Sequence, residues 1–105
     1  MDDKMPLLGF GAMRLPTLGA DDKIDLPRVC EMIDAFLEKG FLYIDTAYVY
    51  HSGQSEKAMQ NALVKRHPRE SFRLATKMPI WITHAPADLD RIFTEQLRNC
   101  GVDYF

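Results

Sequence analysis

The amino-acid sequence predicts a parallel α/β fold. Short apolar segments of strand length alternate along the chain with longer segments whose apolar residues recur at helical spacing. The strand segments are apolar through most of their length, which is typical of parallel strands covered by helices. This order of elements is compatible with either a doubly wound sheet or a barrel.

The first strand–helix unit occupies residues 7–39. The apolar residues 7–15 contain Gly9 and Gly11 and predict a first strand followed by its turn. A helix is predicted over residues 25–39. Its apolar residues are spaced at helical intervals, a proline suits its first turn, and a glycine follows its end (Val29, Ile33, Phe36, Leu37; Pro27; Gly40).

Two more units follow, and then the beginning of a fourth strand. Strands are predicted over residues 41–44 and 72–76, and helices over residues 55–66 and 86–100. The helix over residues 55–66 ends before a proline, and the helix over residues 86–100 is followed by a glycine (Pro68, Gly101). Its predicted apolar face is Leu89, Ile92, Phe93 and Leu97. Tyr104 and Phe105 are predicted to open the fourth strand.

Composition excludes several classes of protein. The 105 residues are 47% hydrophobic and 27% charged, with a net charge of −2 and no basic stripe, so we expect no nucleic-acid or membrane partner. No apolar run approaches the ~20 residues of a membrane span. Two cysteines, Cys30 and Cys100, cannot form a disulfide framework or a four-cysteine metal site. We therefore expect reduced thiols, no metal site and a cytoplasmic protein.

Three polar residues lie where the chemistry of a parallel α/β fold collects, at the carboxyl ends of strands. Asp45 ends the second predicted strand, Lys77 ends the third, and Tyr50 follows in the loop after the second. Neighbouring strands lie about 4.8 Å apart, so Asp45 and Lys77 can form an ion pair if both point inward. An ammonium group beside a phenol stabilises the phenolate, which suits Tyr50 to proton transfer. The alternative is a buried ion pair that only closes the end of the sheet, beside a tyrosine at its rim.

Three segments resemble motifs of the aldo-keto reductase family. Asp45-Thr46-Ala47-Tyr48-Val49-Tyr50 is similar to the family's Asp-Thr-Ala-x-x-Tyr motif. Leu74-Ala75-Thr76-Lys77 resembles its third strand with the catalytic lysine, and residues 9–15 resemble its first-strand motif. The three occur in the family's order over the whole chain. The branch that the sequence most resembles often carries an iron–sulfur domain far downstream, for which residues 1–105 offer no ligands.

The resemblance implies a (β/α)₈ barrel that reduces an aldehyde or ketone with NADPH. Tyr50 is then the proton donor, and Lys77 and Asp45 tune it. The residues implied to contact NADP(H) are Gly11, Ala12, Met13, Arg14 and Asp45. Ala12 and Met13 replace larger side chains, so contact through their backbone is the firmer expectation. The family's catalytic histidine, at the end of strand four, lies beyond Phe105.

Trp81, in the loop after the third strand, and His51, beside Tyr50, are the predicted substrate contacts. For Phe10 we expect packing in the core. Gly9 and Gly11 lack the third glycine of a dinucleotide-binding fingerprint, and no helix follows directly, so a Rossmann site is not predicted.

Residues 1–105 form a single incomplete domain, with three strand–helix units where a full barrel takes ~250 residues and eight. We expect this chain alone to be inactive and to self-associate, because its sheet has unpaired edges. Two other functions remain open. One is a non-catalytic nucleotide-sensing or regulatory member of the same fold, and the other is a truncated product that only oligomerises.

Overall fold

A parallel three-stranded sheet and three helices form the framework of the molecule. The computed structural model describes residues 5–19 and 22–105. The sheet consists of β1 (Gly9–Gly11), β4 (Tyr43–Asp45) and β5 (Arg73–Ala75), in that spatial order. A small antiparallel hairpin of β2 (Thr17–Leu18) and β3 (Lys23–Ile24) lies between β1 and the first helix; the sequence had not predicted it.

The helices begin and end close to their predicted limits. Helix α1 spans Leu26–Glu38, and Asp25 caps it by accepting from the amide of Arg28. Helix α2 spans Gln54–Met59 and continues as a π-helix over Gln60–Val64. Helix α3 spans Pro86–Cys100 and ends at Gly101, whose φ of 72° is one that glycine adopts without strain.

The hydrophobic core lies between the helices and one face of the sheet. Phe10, Ile44 and Leu74 occupy equivalent positions on the three strands, and the side chains of Ile44 and Leu74 are buried. Helix α1 adds Val29, Ile33 and Phe36 to this core. The Phe10 ring packs edge-on against Phe36 with centroids 5.6 Å apart, which confirms its expected place in the core.

The other face of the sheet is only partly covered. Strand residues alternate between faces, so Tyr43 and Asp45 of β4 and Arg73 and Ala75 of β5 share this face, and all four are of intermediate exposure. Asp45 therefore lies on the face away from the helices. Among the described residues β1 and β5 each have a neighbouring strand on one side only.

Two features of the last part of the chain differ from the prediction. Tyr104 and Phe105 join no strand; instead, the Arg69 guanidinium stacks on the Tyr104 ring at 3.9 Å and donates to the Tyr104 carbonyl. Of the predicted apolar face of α3, Ile92 is buried and Leu97 packs partly buried against the core, but Leu89 and Phe93 are 41% and 46% exposed. Gln96 and Cys100 complete the buried face. The Phe93 ring packs edge-on against Phe105, with ring centroids 6.0 Å apart.

Two further observations concern the class of protein. Among residues 5–19 and 22–105, no helix has the length and apolarity needed to cross a membrane.

Both cysteines are free, and burial, with a smaller contribution from Glu56, raises the pKa of Cys100 to about 12. A thiol with so high a pKa stays protonated, as expected of a residue that only packs.

Candidate active site

The carboxyl ends of the three parallel strands lie side by side. Gly11, Asp45 and Ala75 are in register across the sheet. The ladder continues one step further, because the amide of Ala12 donates to the Asp45 carbonyl at 2.8 Å and that of Thr46 to the Ala75 carbonyl at 2.9 Å. The loops that carry the candidate residues therefore leave the sheet at one place.

Lys77 joins the other two candidate catalytic residues, Asp45 and Tyr50. It lies two residues beyond the end of β5. Its ammonium group donates to the Asp45 carboxylate at 2.7 Å and to the Tyr50 phenol oxygen at 2.8 Å. A third hydrogen bond, 3.1 Å long, goes to the carbonyl of Thr46. An ammonium group has three donors, and all three are used here.

A tight turn after β4 places Tyr50 over Lys77. The turn spans Tyr50–Gly53 and is not a regular helix, because His51 and Ser52 both have a φ of 53° and Gly53 a φ of 89°. Left-handed backbone at non-glycine residues costs about 1–3 kcal/mol each, and surrounding contacts have to hold it in place. One such contact is the His51 ring, whose Nε2 accepts from the amide of Leu15 at 2.9 Å.

In the 105-residue chain the ion pair is open to solvent, unlike the buried pair that the sequence left open as an alternative. The Lys77 side chain is 50% exposed and that of Asp45 is 34% exposed. Desolvation lowers the pKa of Lys77, but the hydrogen bonds with Asp45 and Tyr50 outweigh it, so this pKa lies above its ordinary value. Lys77 is therefore a cation at neutral pH.

The donor direction at Tyr50 decides what its phenol can do. Because Lys77 donates to the phenol oxygen, one lone pair of that oxygen is occupied and the phenol hydrogen points elsewhere. If the proton leaves, the same ammonium remains 2.8 Å from the phenolate and stabilises it. The arrangement can deliver a proton to an acceptor placed beside Tyr50.

The turn after β1 lies next to this group and contains the predicted cofactor contacts. Gly11 is exposed, and an added Cβ there would meet nothing within 4 Å, so the strand end is open. Met13 and Arg14 are exposed as well. Ala12 is fully buried, and its carbonyl accepts from Ser55. The exposed segment is therefore formed by Gly11, Met13 and Arg14.

The two predicted substrate contacts lie in different surroundings. Trp81 is in a 3₁₀ turn, Ile80–Ile82, after β5 and is 70% exposed. The side chain of His51 is only 7% exposed. It lines a cavity of about 520 Å³ between the hairpin and α2, whose lining includes Asp22 but not Asp45, Tyr50 or Lys77. The structure does not bring His51 to the catalytic group.

Several buried polar residues behind the site were not predicted from the sequence. Thr46, Ser55, Glu56 and Gln96 have exposures of 0 to 1%. Gln96 carried a signal, since it lies four residues from both Ile92 and Cys100, on the buried stripe of α3. Ser55 and Glu56 carried none, because polar residues at the start of a helix are ordinary.

Comparison with known proteins agrees with this geometry. Residues 7–105 match the model of the aldo/keto reductase family. A comparison with curated protein sequences gives no significant match.

Solved structures of the family are similar over nearly the whole chain. An aldo-keto reductase from Klebsiella pneumoniae in complex with NADPH has a TM-score of 0.78 and 25% identity, over 96% of this chain and 33% of that one. The glycerol dehydrogenase of Gluconobacter oxydans gives 0.70 and 26%, over 98% and 34%. A thermostable aldo-keto reductase in complex with the inhibitor epalrestat gives 0.67 and 28%, over 95% and 36%.

The chain thus spans about a third of the length of these structures. Its sheet and helices correspond to the N-terminal part of a (β/α)₈ barrel, which decides between the two architectures that the order of elements left open. Fold, family model and motif order agree: the chain belongs to the aldo/keto reductase family.

Proposed function

We propose that this chain provides the proton-donating part of an enzyme that reduces an aldehyde or ketone to an alcohol with NADP(H). The observation that carries the proposal is the position of the Lys77 ammonium, which donates to Asp45 and Tyr50 at once. The family and the NADPH complex of the Klebsiella pneumoniae relative support the choice of cofactor.

The chemistry supplied by NADPH, when bound, is a hydride for the carbonyl carbon. Tyr50 gives its proton to the carbonyl oxygen, which would otherwise become an alkoxide. Lys77 stabilises the tyrosinate that remains, and Asp45 holds Lys77 in place by a charge-assisted hydrogen bond. In the reverse direction the tyrosinate of Tyr50 accepts the proton, while Lys77 and Asp45 keep their roles.

The turn after β1 is our proposed site for the nicotinamide end of the cofactor. Met13 and Arg14 are exposed there, and Gly11 leaves room above the strand end. Ala12 contributes through its backbone, because its side chain is fully buried. Asp45 lies beside this turn, since its main-chain carbonyl accepts from the Ala12 amide.

For the substrate, Trp81 is the apolar contact that we propose, because it is exposed beside the loop that carries Lys77. Contact of His51 with the substrate stays a prediction. We place the protein in the cytoplasm as one domain, with a small carbonyl compound as its partner, and we expect the 105-residue chain alone to be inactive.

The direct experiment joins residues 1–105 to the remaining barrel of a relative and measures NADPH oxidation with a panel of aldehydes and ketones. Turnover that depends on Tyr50 supports the proposal. Tight NADPH binding without turnover of any carbonyl would instead indicate a nucleotide-sensing protein.

A further inference from the structure

Adjacent residues at the start of α2 reach opposite sides of the candidate site. Ser55 and Glu56 are both fully buried. The Ser55 hydroxyl donates to the carbonyl of Ala12 at 2.8 Å, so its oxygen accepts from the hydroxyl of Thr46, also at 2.8 Å. Ser55 thus ties the turn after β1 to the residue that follows Asp45.

Glu56 makes the corresponding link on the other side. Its Oε2 accepts from the hydroxyl of Thr76 at 2.8 Å, and its Oε1 accepts from the amide of Asn99 at 3.2 Å. Thr76 directly precedes Lys77. The carboxyl group therefore joins α2, α3 and the chain leaving β5.

Gln96 completes this link from α3. Its side-chain amide donates to the carbonyl of Lys77 at 2.8 Å and lies 3.4 Å from the Thr76 hydroxyl oxygen. Gln96 thus binds the Lys77 main chain from α3, and Glu56 binds the side chain of the preceding Thr76 from α2, both from buried positions, whereas the ammonium end of Lys77 is half exposed.

Such anchoring matters because the lysine side chain is long and flexible. Its ammonium meets Asp45, Tyr50 and the Thr46 carbonyl together only if its main chain starts from one fixed place. Burying a carboxyl group is unfavourable unless hydrogen bonds compensate, so a fully buried Glu56 needs a reason beyond filling space.

We infer that Glu56 is a positioning residue, which fixes the main chain at Lys77 through Thr76 and, with Gln96, sets the place from which the ammonium reaches Asp45 and Tyr50. Its relevance to catalysis rests on the proposed function; its effect on the geometry does not. Glu56 touches none of the reacting groups itself.

The test is side-chain NMR on the isotope-labelled 105-residue chain, which at 12.1 kDa is within range even as a small oligomer. Two signals report the geometry: the water-exchange rate of the Lys77 ammonium protons, and the contacts between the Lys77 ε-methylene and the Tyr50 ring. Neither needs cofactor or substrate.

Thr76→Val removes the hydroxyl and keeps the shape of the side chain, and Glu56→Leu removes the acceptor. In both variants we expect ammonium exchange about two- to tenfold faster, the range that corresponds to losing one hydrogen bond, and weaker contacts with Tyr50. Glu56→Gln retains an oxygen for Thr76 and should restore the wild-type values.

Asp34→Asn is the matched control. It removes a carboxylate that binds Arg66 and His67 between α1 and the segment after α2, remote from Lys77 in the hydrogen-bond network. We expect lower stability with unchanged Lys77 signals.

The inference is overturned if Thr76→Val and Glu56→Leu fold and keep the wild-type exchange rate of the Lys77 ammonium protons and the wild-type contacts between Lys77 and Tyr50. Glu56 would then be only a structural link. If Glu56→Leu fails to fold by circular dichroism, Thr76→Val and Gln96→Leu decide by the same signals. Failure of the proposed function looks different, since the variants then change the Lys77 signals while the completed barrel reduces no carbonyl.

Discussion

Lys77 and Asp45 form an ion pair of 2.7 Å that is nevertheless open to solvent, with side chains 50% and 34% exposed. An exposed pair of this kind contributes little to the free energy of unfolding, about 0–1 kcal/mol. The same ammonium group also donates to Tyr50 and to the Thr46 carbonyl, so three acceptors hold it in one place. Its importance therefore lies in orienting an ammonium group, and activity and stability should respond differently to its loss.

Lys77→Met tests this separation. We expect the stability of the chain to change by no more than about 1 kcal/mol, because water already reaches both partners. In a completed barrel, carbonyl reduction should be lost, because no cation remains to stabilise the Tyr50 phenolate. Urea unfolding and steady-state NADPH oxidation measure the two effects. A large loss of stability with an unchanged pH–rate profile would make Lys77 a structural residue.

Tyr50→Phe tests the proton donor. In a completed barrel, kcat should fall by about 10²–10⁴-fold, the usual contribution of a general acid. The NADPH dissociation constant, measured by fluorescence titration, should hardly change, because the phenol hydroxyl is all that is removed. Tyr104→Phe is the control, since the Tyr104 carbonyl and ring make its contacts with Arg69. Activity of Tyr50→Phe within a few-fold of the parent contradicts the assignment.

Glu56→Gln tests the cost of the buried carboxyl. Burial raises the pKa of Glu56 above its ordinary value of 4.5, although hydrogen bonds from Thr76 and Asn99 oppose the shift. When the pKa of a group is higher in the folded state than in the unfolded state, its contribution to protein stability is fully present below the unfolded-state pKa. That contribution is lost as the pH rises through the folded-state pKa. Relative to wild type, Glu56→Gln should therefore gain stability as the pH rises above 4.5.

Thermal unfolding of wild type and Glu56→Gln from pH 4 to pH 8 measures this difference in stability. The other carboxylates are the same in both proteins, so their contributions to the pH dependence cancel. A Tm difference that stays constant across the range would show that Glu56 ionises in the fold as it does in the unfolded chain.

Trp81→Ala tests the substrate contact. Burying a large apolar side chain is worth about 1.5–3 kcal/mol, so KM for a bulky apolar aldehyde should rise about tenfold or more in a completed barrel. The kcat value should stay close to that of the parent, since Trp81 is not bonded to Tyr50 or Lys77. A two-carbon aldehyde serves as the control substrate, because it is too small to reach the ring. Equal effects on both aldehydes would argue against this contact.

Self-association of the 105-residue chain follows from its exposed surfaces. The outer edges of β1 and β5 carry no strand in the described residues, and Leu7 and Leu8 are 105% and 53% exposed. Unpaired edges and apolar surface recruit other chains. Size-exclusion chromatography with light scattering should find oligomers at micromolar concentration, without NADPH oxidation. A monodisperse monomer that reduces a carbonyl contradicts this prediction.

Local patterns in the sequence determined most of the fold. Helices α1 and α3 begin and end within a residue of the predicted limits, because the signals for both ends lie close by in the sequence. These signals are a proline in the first turn (Pro27 in α1, Pro86 in α3) and a glycine after the last turn (Gly40 and Gly101). The parallel sheet and the meeting of Asp45 with Lys77 followed from the rule that parallel strands end together. The strands were each predicted slightly too long, since pairing and not apolarity fixes their ends.

Only the tertiary structure decided the exposure of the ion pair, the buried face of α3 and the roles of Glu56 and Gln96. These depend on what lies opposite each side chain. Leu89 and Phe93 have the spacing of core residues, yet in the described chain their side chains are 41% and 46% exposed. Glu56 has the sequence context of a solvated helix residue, yet Thr76 and Asn99, which are distant in sequence, enclose it. Periodicity along a chain reports which residues share a face, whereas burial and hydrogen bonding depend on the element that packs against that face.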